Sequence, residues 1–423
     1  MLPASHKFFS LSLILVTSLT LFACGGGGGG AGTSPSNLQN KVVLSSSAPV
    51  QYGYFGWSVA ISPDGQTLAV SERGRNVAGI SGVGAVQIFS KSGSSWVREQ
   101  LLEPKMPVQY SDFGWDISFS PDGKTLAVSA PGNPLIQFEG FVQLFIDSGT
   151  AWTPGPKLVS NTRLGNEFGQ AIKFSPDSMK LAIYEHYPVN QIENVQVFKR
   201  VANSWNAKPE LEQVLISKNP VAFSSFGHSF DFSMDSKTLA VGEQADTQRV
   251  VQLFNLSNNI WNYGLVISNN SLLFGISLAF SPDDSSLAIG DTSATVATVT
   301  DAGSIQFYKK SGADWTAAPV AGLTIKSNTP KSSRTFGFVF KFNLDGSKIA
   351  VTESDDNPFA AIDNPVVHTF STVNSNFVND KIITLPSSAY DPSMAFSLDG
   401  QLAIGDSSDT VKTIPDAGTV TFY

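Results

Sequence analysis

Apolar and polar residues alternate with period two in the stretch Tyr54 to Ser71, YFGWSVAISPDGQTLAVS. Trp57, Val59 and Ile61 interleave with Ser58, Ala60 and Ser62, Pro63-Asp64-Gly65 turns the chain, and Thr67 to Val70 runs back. This pattern predicts a β-hairpin with one buried face. It recurs from Asp112, Glu167, Ser225, Leu273, Thr335 and Ala389. An aromatic residue and the turn aspartate are nine apart in all seven copies, from Phe55/Asp64 to Tyr390/Asp399. A register kept over units of about 56 residues predicts a stacked array or a closed ring.

Each hairpin is followed by a loop and a third apolar run, such as GAVQIFSK from Gly84 or NVQVFKR from Asn194. A short turn then leads to an aromatic (Trp96, Trp152, Trp205, Trp261, Trp315 or Phe377) and a fourth run. Four short antiparallel strands per unit, with no sustained 3.6-residue period, predict an all-β, seven-bladed propeller. The seventh unit stops at its third run, GTVTFY, while KVVLSSS from Lys41 reads as a fourth run without a unit. The first strand is therefore expected to complete the last blade and close the ring. Ala69, Ala127, Ala182, Ala240, Ala288, Ala350 and Ala403 recur in the second strands. They predict thin strands where neighbouring blades touch.

The repeats account for residues 40–423. Before them, Lys7 precedes an apolar run from Phe8 to Ala23 that is short for a membrane span and fits a signal peptide over residues 1–23. Leu21-Phe22-Ala23-Cys24 resembles a bacterial lipobox, which implies lipidation at Cys24, the chain's one cysteine. Six glycines and AGTSPSNLQN follow, so residues 24–39 read as a flexible tether. Together these features predict a bacterial envelope lipoprotein, expected at the outer membrane and touching the membrane through its lipid only. Charged residues are 15% of the chain and the net charge is −8. Nucleic-acid binding is not expected, because it needs a basic footprint.

The motifs FGxSVAIS, LAVS, GAVQIF and SGSSW resemble bacterial FG-GAP repeats, similar to those of the integrin α-subunit propeller. The turns are also similar to those of TolB-like and WD-repeat propellers. The resemblance implies a binding or adhesion module for a protein or glycan. The integrin-type calcium loop is not matched. The turns SPDG, SPDS, SMDS, SPDD, NLDG and SLDG each offer too few carboxylates for calcium's six to eight oxygens, so no cofactor is expected.

His186, His228 and His368 lie in different units, with no HxH, HExxH, GxSxG or phosphate-loop motif. The chain is therefore expected not to be an enzyme. The alternatives are an envelope-assembly scaffold and a hydrolase with its site at the central channel. Two candidate surfaces remain. Long second-to-third-strand loops of units five, six, seven and one carry Asp291, Asp301, Asp355, Asp356, Asp406, Asp409 and Asp416. They are expected to form an acidic rim, or else solvated loops inherited by duplication. Tyr52, Tyr54 and Tyr110, with Trp57 and Trp115, form an aromatic group that favours protein or glycan contact unless the two tryptophans pack inward.

Overall fold

The structure, a computed structural model, describes residues 41–133, 138–162, 167–187, 192–221, 224–245, 248–269, 271–354, 364–386 and 392–423. The signal-peptide, Cys24 and tether readings, together with Asp355 and Asp356, lie outside these residues.

Seven four-stranded antiparallel sheets make up the domain. The first strand, β1 (Val43–Ser45), stands apart from the first blade. Blade 1 is β2 (Phe55–Ile61), β3 (Thr67–Glu72), β4 (Ala85–Ser92) and β5 (Ser95–Leu102). Blade 2 is β6 (Ile117–Phe119), β7 (Thr125–Ala130), β8 (Phe141–Asp147) and β9 (Trp152–Val159). Blade 3 is β10 (Glu167–Phe174), β11 (Lys180–His186), β12 (Asn194–Lys199) and β13 (Glu210–Leu215). Blade 4 is β14 (Phe230–Phe232), β15 (Thr238–Ala245), β16 (Gln248–Ser257) and β17 (Ile260–Ser268). Blade 5 is β18 (Phe274–Phe280), β19 (Ser286–Asp291), β20 (Ser304–Lys309) and β21 (Val320–Lys326). Blade 6 is β22 (Phe340–Phe342), β23 (Lys348–Glu353), β24 (Val366–Val373) and β25 (Asn376–Thr384). Blade 7 is β26 (Ser393–Phe396), β27 (Leu402–Asp406) and β28 (Thr419–Phe422). It is completed by β1, whose Val43, Leu44 and Ser45 pair with Thr421, Val420 and Thr419. The expected closure is therefore present, and β2 packs against β26 and β27.

The hairpin turns hold by local chemistry. The Ser62 hydroxyl donates to Asp64 Oδ1 at 2.5 Å, and the amides of Thr67 and Gln66 donate to Ser62 Oγ and Asp64 Oδ1. The same Ser-to-Asp bond recurs from Ser120, Ser175, Ser233, Ser281 and Ser397. Asn343 replaces the serine in blade 6. The glycine that opens the inner strands of blades 1 to 6 sits where one blade crosses the previous one. Gly56 has φ 86°, and a Cβ there would lie 2.6 Å from the Thr419 carbonyl oxygen, so no side chain fits.

The core lies between blades. Ala69 packs with Phe113 and Leu126 of blade 2, Ala127 with Phe168 and Leu181 of blade 3, and Ala403 with Phe55 and Leu68 of blade 1. The second-strand alanines thus mark the blade contacts, as their small size predicts. Each blade's first strand runs from the face carrying the second-to-third-strand loops, here the upper face, to the turns of the lower face.

Candidate functional site

Two groups of side chains meet around the upper end of the inner strands. The first is aromatic. Trp57 and Trp115 occupy the same place in successive repeats, just after the Phe-Gly pair, and their rings stand 5.2 Å apart. Tyr54 adds a third ring, 6.3 Å from Trp57, and Tyr52 a fourth at 6.3 Å from Tyr54. The Arg73 guanidinium sits among them, 3.7 Å from the Trp57 ring centre, 4.7 Å from Tyr54 and 5.0 Å from Trp115. It also donates to Asp112 Oδ1 at 3.2 Å. A planar cation among aromatic faces fixes the rings and leaves little rotamer freedom. Tyr52, Tyr54, Tyr110 and Asp112 all have φ between 51° and 60°. Left-handed backbone at four non-glycine residues is costly, and such strain concentrates at functional surfaces. Tyr52 and Tyr110 remain about half exposed, at 54% and 52%.

The second group is titratable and belongs to blades 3 and 4. Trp115 Nε1–H donates to the Gln170 carbonyl at 3.2 Å, and Gln170 Nε2 donates to Glu167 Oε2 at 2.6 Å. Glu167 pairs in register with His186 across β10 and β11. His186 Nδ1 lies 2.6 Å from Glu193 Oε1, and the Tyr184 hydroxyl donates to Glu193 Oε2 at 2.5 Å. Among the described residues, His186 Nε2 has no hydrogen-bond partner, and the side chain is 27% exposed. The Tyr184 ring lies 6.5 Å from that of His228.

Environment separates the two histidines. Burial opposes a charged His186, but the hydrogen bond and charge of Glu193, with Glu167 adding, outweigh it and raise its pKa. Burial lowers the pKa of His228, the His186 charge lowers it further, and a backbone hydrogen bond at Ile276 only partly opposes this. Burial likewise raises Glu167, against the charge of His186. The cluster therefore joins an oriented, accessible imidazole to a neutral one.

Deeper in the channel the inner strands place four charges. Lys173 Nζ pairs with Asp231 at 3.0 Å. Asp116 accepts backbone N–H bonds from Ile117 and Ile172 at 2.8 and 2.9 Å. Lys341 makes no ion pair or hydrogen bond among the described residues and lies in the field of Lys173, Asp116 and Asp231. No group of three His, Cys, Asp or Glu side chains suited to a metal occurs among the described residues.

The acidic residues are placed differently from an exposed rim. Asp291 and Asp406 are buried, at 4% and 7%. Asp291 accepts from Asn269 and Ser271, and Asp406 from Ser408. Asp409 is tied to Thr419 Oγ1 and to the Thr410 amide. Asp416 takes φ 52°, its carbonyl accepts the Tyr54 N–H, and burial raises its pKa. Asp301 is exposed and, with Asp291, Ser271 and Ser293, lines a cleft of about 400 Å³ on blade 5. The rim expectation is corrected for Asp291 and Asp406. Their position closes the second strand, where the side chain turns inward.

That position forms a repeat-wide device. Glu72, Glu185 and Glu243 are fully buried and accept from Gln87, Gln196 and Gln252 of the adjacent strand. His368 Nε2 takes the glutamine's place against Glu353 at 2.7 Å. The linker from the preceding blade adds a hydroxyl. Ser46 Oγ accepts from Gln87 Nε2 beside Glu72, while the Thr162 hydroxyl donates to Glu185 and that of Ser217 to Glu243. Blade 2 has Ala130 where the carboxylate would be and Pro104 in the linker, and Gln143 turns to backbone carbonyls instead.

No family model matches the chain, and no curated protein matches it. Solved structures resemble it at the level of fold. A periplasmic gluconolactonase of Pseudomonas aeruginosa is 15% identical over 76% of this chain and 87% of its own, with a TM-score of 0.54. A Bacteroides uniformis protein provisionally named a 6-phosphogluconolactonase is 10% identical over 81% of this chain and 88% of its own, at 0.53. A chain of Kuenenia stuttgartiensis hydrazine synthase is 11% identical over 88% and 96%, at 0.55. The expectation that the chain is not an enzyme is corrected by these names. Chains of this fold are named as enzymes, so missing short motifs are no ground against catalysis.

Proposed function

We propose that this chain is an FG-GAP-like propeller, held at the bacterial envelope by lipidated Cys24, that binds a small polyhydroxylated ring at its upper channel mouth and hydrolyses an ester bond within it. The observation that carries the reading is the His186–Glu193 pair at 2.6 Å, with Nε2 unpartnered and the aromatic group adjoining through Gln170.

The roles follow from geometry. Trp57 and Trp115, held together with Arg73, border the place where the C–H face of a sugar-like ring would lie. Glu193 holds His186 by Nδ1 and stabilises the imidazolium as it forms. Nε2 takes a proton from water, and the resulting hydroxide attacks the lactone carbonyl. The ring C–O bond then breaks, and the proton passes from His186 to the departing alkoxide, leaving a hydroxy acid. Exposed Tyr52 and Tyr110 extend the platform for a larger glycan. The lactonase names among the fold's solved structures support this choice of substrate class only as chemistry the fold accommodates.

Hydrolysis of a panel of aldonolactones tests the reading. His186→Gln should lower kcat/KM by about 10²–10⁴-fold, the usual worth of general base catalysis, while lactone binding persists. Trp115→Ala should instead raise KM. Unchanged hydrolysis by His186→Gln would overturn the assignment.

A further inference from the structure

The lower face has an apolar position at every turn. The residue after the turn Ser or Asn is Pro63, Pro121, Pro176, Met234, Pro282, Leu344 and Leu398 in blades 1 to 7. Proline is explained there by the turn itself, since its fixed φ suits the first corner. Met234, Leu344 and Leu398 have no such reason, and they are 44%, 58% and 56% exposed. Apolar side chains reach the neighbouring turn at three blade junctions, and polar bonds join the turns of blades 2 and 3, 3 and 4, and 4 and 5. Leu398 approaches Gly65 of blade 1 and Pro63 approaches Gly123 of blade 2, while Pro282 approaches Gly346 of blade 6.

The polarity of β1 gives this face a partner. Ser45 pairs with Thr419, at the upper end of β28, and Val43 with Thr421 toward the lower end. Lys41 lies beyond Val43, its Nζ 4.0 Å from the ring centre of Tyr423. The preceding chain therefore joins the propeller at the lower face. Sixteen residues separate Cys24 from Lys41. The turn carboxylates do not oppose a neutral surface. Asp399 pairs with Lys91 at 2.9 Å and Asp122 with Arg200 at 3.2 Å, and the others accept local hydroxyl, amide and backbone bonds.

We propose that the ring of Pro, Met and Leu turn residues rests on the lipid surface in which Cys24 is anchored, so that the Trp57/His186 mouth faces away from the membrane. This rests on the anchoring reading. The partner is a zwitterionic phospholipid surface, met at headgroup depth by residues that rise singly rather than as an inserting helix.

The test uses the full lipidated chain in phosphatidylcholine vesicles with a headgroup-level quencher. Acylation consumes the Cys24 thiol, so one introduced cysteine carries the fluorophore, at Gln66→Cys on the lower face or Thr300→Cys on the upper. The Gln66 probe should be quenched severalfold more than the Thr300 probe. Adding Met234→Ser, Leu344→Ser and Leu398→Ser should abolish that difference while the chain still floats with the vesicles. Equal quenching of the two probes, with flotation intact, overturns the orientation and leaves the anchor standing. Shielding of the Gln66 probe without quenching assigns the ring to a second copy and also overturns it. Failure to float overturns the anchor and the orientation together.

Discussion

His186 shows how one pair sets the charge of an imidazole and, on the proposed reading, its reactivity. Its pKa lies above the ordinary 6.5 because Glu193, aided by Glu167, outweighs burial. The base form is the neutral imidazole, so hydrolysis should fall as pH drops through that raised value. The effect on stability has the opposite sense. The pairing stabilises the fold fully below the unfolded-state value and is lost as pH rises through the folded one. In Glu193→Gln the raising charge is gone, and the acid limb of kcat/KM should move to lower pH. An NMR titration of His186 in both proteins checks this directly. A parent midpoint at or below 6.5, or no change in the variant, would exclude the pairing as described. The sequence did not disclose this pair. Glu193 and His186 flank the second-to-third-strand loop of blade 3, and His228 belongs to the next blade. Nothing in their spacing says that the ring brings them to one end. Glu167, which stands before Phe168 where no other repeat has a glutamate, was the one local signal.

At the scale of elements, most of the molecule was legible, because period-two alternation and turn chemistry act locally. The hairpins, the third and fourth strands and the small second-strand alanines all follow from side chains that their own blade or its neighbour must bury. The carboxylate ending the second strand was misread as loop chemistry. The signal was present, since six of seven second strands carry Glu or Asp at the same place and five third strands carry Gln at a fixed place. Its meaning depended on a linker residue from the preceding blade, which only the ring places. The absence of the device from blade 2 is informative, because Ala130 and Pro104 replace carboxylate and hydroxyl together. A buried carboxylate without its donors is costly. Ser217→Ala removes the 2.7 Å bond to Glu243 and leaves Gln252 Nε2 as the remaining donor to that oxygen. It should destabilise by about 1.5–3 kcal/mol, the worth of a hydrogen bond to a charged group. Urea unfolding should show this as a lower midpoint at constant slope, and a shift within error would reduce the network to packing.

For the whole molecule, closure depends on a strand of three residues. β1 pairs the free edge of β28, while Val42 and Leu44 pack against Phe422, Val420 and Phe55. Ser46 then reaches into blade 1, its Oγ accepting from Gln87 Nε2 at 3.1 Å. One short segment therefore pairs an exposed edge, covers part of the blade 7–blade 1 core and completes a buried polar group. An open edge also templates association between copies. Deleting residues 41–47 removes all three contributions at once and should lower stability by several kcal/mol, as loss of a paired strand from a cooperative ring implies. Ser46→Ala removes only the polar part and should cost about 1–3 kcal/mol. Thermal unfolding of parent, Ser46→Ala and the deletion should therefore give three ordered melting temperatures. The deletion should also acquire concentration-dependent association through β28. If the deletion melts with the parent and stays monomeric, the ring does not depend on β1 for closure. If it melts with Ser46→Ala, the polar contact rather than the strand pairing is what joins the last blade to the first.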